Sequence, residues 1–241
     1  MARNILQICQ DAADELSLVR PDAVLSTDDE TERRLSRILH RTVTDLHARF
    51  DWQVLLREKT FTTLAADEQT SAVATDFLRF VPGTMHNRTT TWATYALSPQ
   101  EWQYQKARTT SAAVTTQVRR YGETKTSLWM YPNPPASESI AYEYIVNTLG
   151  WTSDGTTELT TEDRFENDTD LPFLSSELIT RGVVWAYRKS EGLDYSEEFR
   201  GFEDYLFNLL KAETPHKPLQ MHGNKEQRPH KLGIPDTWPG L

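Results

Sequence analysis

Apolar positions recur at helical spacing at both ends of the chain and at strand spacing in the middle. Ile5, Ile8, Cys9, Ala12, Ala13 and Leu16 form a stripe, with Asp11, Asp14 and Glu15 opposite, which predicts a first helix over about 3–18. Arg20-Pro21 ends it, because the residue before proline is pushed out of the helical region. Thr27 stands three residues before Glu30, a capping-box spacing, and Asp28, Asp29 and Glu30 suit the positive end of a helix. Leu35, Ile38, Leu39, Thr42, Val43 and Leu46 then carry a second helix to about Phe50.

From Trp52 the period changes. Residues 54–63, 77–82, 91–97, 117–121, 127–131 and 140–147 are rich in β-branched and aromatic side chains and read as short strands. Val81-Pro82-Gly83, Tyr121-Gly122-Glu123 and Pro132-Asn133-Pro134-Pro135 punctuate them. Ser98 followed by Pro99 predicts a capped short helix through Ala107. An acidic loop over 151–170 follows. Leu174, Leu178 and Trp185 then mark a helix, with Gly182 allowing close packing and Gly192 stopping it as a left-handed cap. Phe199, Phe202, Leu206, Leu209 and Leu210 mark the last helix, over 195–211.

The pattern predicts an α+β fold: an antiparallel helical bundle made from the N- and C-terminal helices, with an inserted small β-sandwich or barrel and an extended C-terminal arm. The expected divisions are 1–52 for the first helices, 53–150 for the β domain, 151–211 for the acidic loop and last helices, and 212–241 for the arm.

Composition changes that picture in three ways. The net charge of −9 argues against a general binder of phosphate backbones. Cys9 is the one cysteine, which excludes an intrachain disulfide and a cysteine-type zinc site. No apolar stretch reaches the roughly 18 residues of a membrane span, and the N-terminus lacks the apolar run of a signal peptide. The expected setting is soluble and reducing. The tail has its own character. It holds five prolines (Pro215, Pro218, Pro229, Pro235, Pro239) and four basic against three acidic residues, which leaves 22 basic and 32 acidic residues before it.

Candidate chemistry is sparse. His40 and His47 share a helix face but stand two turns apart, and no His-Glu-x-x-His motif exists, so surface or interface histidines are the expectation. Glu166, Asp168, Asp170 and Glu177 match positions one, three, five and twelve of a calcium loop, but Leu171 replaces its glycine and Pro172 follows, so a plain acidic loop is favoured. Cys9 lies on an apolar stripe and reads as core. No phosphate loop, nucleophile elbow or dinucleotide glycine pattern appears. The expectation is no catalytic residue, no metal and no cofactor. Trp92, Tyr95, Trp102, Tyr104, Trp129, Tyr131, Tyr142 and Tyr144 support an alternative reading, a carbohydrate-binding or tail-associated recognition module. A hydrolase whose site escapes linear motifs is a third.

Several stretches resemble the head-to-tail adaptors of tailed bacteriophages, also described as head-completion or tail-tubular-protein-A-like proteins. The resemblance lies in Ile8-Cys9-Gln10-Asp11-Ala12-Ala13-Asp14-Glu15-Leu16, Arg49-Phe50-Asp51-Trp52-Gln53, Thr60-Phe61-Thr62-Thr63 and Pro82-Gly83-Thr84-Met85-His86-Asn87-Arg88. It continues in Leu97-Ser98-Pro99-Gln100-Glu101-Trp102, Ala141-Tyr142-Glu143-Tyr144 and Gly192-Leu193-Asp194-Tyr195-Ser196-Glu197-Glu198-Phe199. It implies a virion protein made in the host cytoplasm and placed at the head-tail junction. It implies a homo-oligomeric ring, usually of twelve, docked on the portal protein above a tail or nozzle protein. Double-stranded DNA would pass through that ring without specific binding. The arm matches no family motif. From composition alone, Lys217, Leu219, Met221, Lys225, Arg228, Lys231, Leu232, Ile234 and Trp238 are the expected portal-binding residues.

Overall fold

The computed structural model describes residues 3–107, 117–119, 126–159 and 164–213. Two compact units emerge. Among the described residues, one joins the chain up to Leu56 with 146–213, and the other is Arg57–Ile145. The fold is α+β.

The first unit is helical. It contains α1 (Ile5–Glu15), α2 (Glu30–Arg49), a short 3-10 turn (Gln53–Leu55), α4 (Ser176–Ser190) and α5 (Ser196–Glu213). Helix α4 contacts α1, α2 and α5, so the C-terminal half of the chain supplies the element that the N-terminal helices close around. Its Leu178, Ile179 and Val183 are fully buried, as are Ile5 and Ile8 of α1 and Leu35, Leu39 and Val43 of α2. Burying each such side chain contributes about 1.5–3 kcal/mol, which exceeds what helix propensity alone supplies.

Local chemistry sets the helix ends. Asn4 and Gln7 form a reciprocal capping box on α1. This helix ends at Glu15, before Arg20-Pro21. Ser17 takes a left-handed conformation (φ 57°), the Ser17 N–H donates to the Asp14 carbonyl, and the Leu18 N–H donates to the Ala13 carbonyl. The expected box at Thr27 is shifted. Asp29 is the cap of α2 and accepts from the Thr31 and Glu32 amides, while Thr27 accepts from the Asp29 amide. Gly192 (φ 73°) closes α4 as expected, and α5 runs two residues past the expected Lys211. A Cβ on Gly182 would collide with Thr42 Cγ2 and stand 3.3 Å from Phe202 Cε2, so glycine lets α2 and α5 approach α4 closely.

The loop before α4 does more than connect. The pair β10 (Gly150–Trp151) and β11 (Leu171–Pro172) brings its ends together. The carbonyls of Asp168 and Asp170 accept from the Leu6 and Ile5 amides at the exposed start of α1. The Asp168 carboxylate accepts from the Val24 and Leu25 amides, pinning the link between α1 and α2.

The second unit contains β1 (Leu56–Thr62), β2 (Glu68–Gln69), β3 (Phe77–Phe80), β4 (His86–Asn87), β5 (Trp92–Ala93), β6 (Tyr95–Ala96), α3 (Pro99–Ala107), β7 (Gln117–Arg119), β8 (Leu128–Tyr131) and β9 (Ser139–Val146). One sheet runs β1-β9-β4-β5, and β3 also pairs with β9. The Ser139 and Glu143 carbonyls accept from Arg88 and Val81 on the same edge of β9, so β3 continues where β4 stops. The other sheet runs β2-β8-β7-β6, with a parallel β6–β7 pair beside antiparallel ones. Phe61, Leu128, Met130, Ile140 and Tyr142 form one core drawn from strands of both sheets. Helix α3 begins as expected: Pro99 follows Ser98, whose N–H and hydroxyl both donate to the Glu101 carboxylate.

Candidate assembly surfaces

Helix α5 carries a wider apolar arc than its neighbours cover. Phe202 and Leu206 are buried against the bundle, but Phe199 and Phe207 are 38% and 57% exposed. The expected apolar stripe included Phe199. It stays partly exposed because α5 rests chiefly on α4. A groove lies on each side of this partly covered helix.

The first groove, about 250 Å³, runs between α2, α4 and α5. Ile38, Leu46, Trp185 and Phe202 give it an apolar floor, and Arg41, Asp45, Arg49 and Lys189 line it as well. The basic groups are held in place by rings and acids. Lys189 Nζ stands 5.6 Å from the Trp185 ring, and the Arg49 guanidinium stands 5.7 Å from Phe202 while pairing with Glu203 at 2.7 Å. The Trp185 indole N–H is buried and has no acceptor among the described residues.

The second groove lies between α1, α4 and α5, and Glu15, Glu177, Arg181, Glu197 and Glu198 line it. Arg181 is held by Glu177 at 2.9 Å and stacks on Tyr205 at 4.9 Å, while Glu198 pairs with Arg188 at 2.8 Å. Glu15 and Glu197 make no ion pair among the described residues.

The chemistry flagged in the sequence resolves into structural roles. His40 Nδ1 donates to the Ser36 carbonyl (2.8 Å) and Nε2 accepts from the Phe165 amide (3.1 Å), so both ring nitrogens are committed. His47 is 2% exposed, a core side chain rather than a surface one, because α4 covers that face of α2. Three of the four acids at calcium-loop spacing are spent separately, and Glu166 is exposed. Asp168 holds Val24 and Leu25, Asp170 accepts from the Glu166 and Asn167 amides, and Glu177 holds Arg181. No cluster of three or more metal-ligating side chains occurs among the described residues. Asp154 accepts from Thr152, Thr156 and Thr157, which hold its carboxyl well below the ordinary range and leave it capping its own turn.

The aromatic set divides as well. Tyr142 donates to the Ala72 carbonyl and Tyr144 to the Asp76 carboxylate, both within the β core. Burial, then the Asp76 contact, pushes the Tyr144 phenol up. Lys106 covers Trp102, Trp129 and Tyr131, with its ammonium 5.0–5.8 Å from their centres, and pairs with Asp67 at 2.9 Å. Tyr104 is exposed. The side chains of Trp92 and Tyr95 lie outside the described set. So do the nine arm residues Lys217, Leu219, Met221, Lys225, Arg228, Lys231, Leu232, Ile234 and Trp238.

Helical unit and β unit are thus both made of residues committed to packing and to surface charge. A family model for the SU10 adaptor protein matches residues 3–215, which takes in both units. The chain belongs to the SU10 adaptor protein family. It is a phage adaptor and, as such, a virion component. No curated protein matches the chain. The match stops at Pro215, so the proline-rich tail lies beyond what the adaptor family defines. No helix among the described residues is long and apolar enough to cross a membrane. The sequence patterns missed the two grooves of this adaptor. Their one linear trace is the excess width of the α5 stripe, with Phe207 beside the five positions that mark the helix.

Proposed function

We propose that this adaptor is a structural ring subunit, twelve copies to a ring, that docks under the portal and joins it to the tail, with a central channel for DNA. The observation that carries the reading is the family match across 3–215, both units included. The protein acts by binding and shape, without catalysis, metal or cofactor. The duplex passes without being gripped, because 32 acidic against 22 basic residues before the tail give the body a repelling field.

The arm is the portal anchor in this reading. Five prolines disfavour helix and sheet over 214–241, beyond the end of α5, and Leu219, Met221, Leu232, Ile234 and Trp238 are spaced to fill separate pockets. Lys217, Lys225, Arg228 and Lys231 steer the arm towards an acidic portal surface. Ordering such a segment costs about 2–5 kcal/mol, which twelve linked arms offset together. Deleting 215–241 should leave the circular dichroism spectrum of the helices intact and strip the protein from portal-bearing heads in co-sedimentation. Undiminished docking by the truncated chain would move the anchor to the helical unit.

A further inference from the structure

We infer that the two grooves flanking α5 are the two halves of a head-to-tail contact between neighbouring copies of this chain. The inference rests on the ring reading above and assigns the surface that builds the ring.

The charges are sorted. The chain carries a net −9, so copies repel one another unless opposite charges meet at the contact. On one flank of α5, Arg41, Arg49 and Lys189 line the first groove against Asp45. Arg33 and Arg37 precede Arg41 at four-residue intervals on the same exposed edge of α2, and neither makes an ion pair among the described residues. On the other flank stand the unpaired Glu15 and Glu197. An apolar floor inside a basic rim fits a partner that is apolar at its centre and acidic around it.

The acidic flank also supplies a projecting group. Ser17 turns the chain out of α1 in the left-handed conformation and leaves Val19 92% exposed, four residues beyond Glu15. Val19 is the most exposed of the large apolar side chains among the described residues. A second copy of the chain is therefore the occupant that charge complementarity selects. The two patches are different, so the contact is heterologous and propagates from copy to copy until it closes into a ring. A self-paired dimer through either patch would set like charges together, which is disfavoured.

A charge exchange on the full chain tests this by light scattering at moderate salt. Arg37→Glu with Arg41→Glu should raise the concentration needed for assembly about tenfold or more, and so should Glu15→Lys with Glu197→Lys. Mixing the two variants should restore assembly, because each then offers the charge that the other lost. The chain carrying all four changes should assemble with itself. Val19→Asp should weaken assembly while leaving the thermal midpoint unchanged. These are exposed positions, and circular dichroism confirms that each variant is folded. Folded charge variants that assemble like the unmodified chain overturn the inference, as does a mixture that fails to recover. An unmodified chain that stays monomeric at every concentration also overturns it. Docking of the chain on portal-bearing heads is read separately, so loss of this interface and loss of the adaptor reading give different results.

Discussion

Cys9 sits on the inward face of α1 with no exposed surface. Burial, and then the nearby charge of Asp168, pushes its thiol up to about 12. The reactive species is the thiolate, whose fraction at pH 8 falls about a thousandfold for such a shift. In the folded chain, a thiol reagent should label Cys9 only as fast as α1 opens, and denaturant should release full labelling. Rapid labelling under native conditions would mean that α1 is not docked as described. At this same scale, the sequence identified Cys9 as core from its place on an apolar stripe. It did not identify the grip of Asp168 on Val24 and Leu25, because those partners lie more than 140 positions away and no local pattern marks a long-range acceptor.

At the scale of elements, Gly182 decides how α4 meets α2 and α5. Alanine in its place gains about 1 kcal/mol of helix propensity but meets Thr42 and Phe202, an overpacking that costs about 1–3 kcal/mol. Gly182→Ala should therefore lower the urea midpoint, and adding Thr42→Ser, which removes the obstructing methyl, should recover part of the loss. A Gly182→Ala variant as stable as the parent would show that the helices separate without cost. Gly182 was legible as a packing glycine because it interrupts an otherwise regular stripe. The long helices were legible for the same reason, since four or five turns repeat the 3.6-residue signal. The strands β2, β4, β10 and β11 were not, because two residues cannot display an alternation. The start of α2 was misplaced by two residues because Thr27, Asp28 and Asp29 are all competent caps, and only the geometry shows that Asp29 is used. The edge of α5 was misjudged because periodicity reports which face is apolar, not how much of it a neighbour covers.

For the whole molecule, the described residues up to Leu56 and over 146–213 build the helical unit, Arg57–Ile145 build the β unit, and the family match spans the two. The α+β character of the chain was legible as a change of period. The adaptor family was legible only through resemblance, and no local pattern marks an interface, which is a property of surfaces brought together by folding. The grooves beside α5 draw on residues from Glu15 to Phe202, which no window along the sequence contains. The central claim is that many copies of this chain form a ring on the portal. Its most direct test is the mass and symmetry of the complex formed when the full chain is added to purified portal, read by native mass spectrometry and electron cryomicroscopy. The account predicts one closed ring of twelve copies per portal. A chain that leaves the portal at its original mass, or binds it as scattered single copies without a ring, would contradict it.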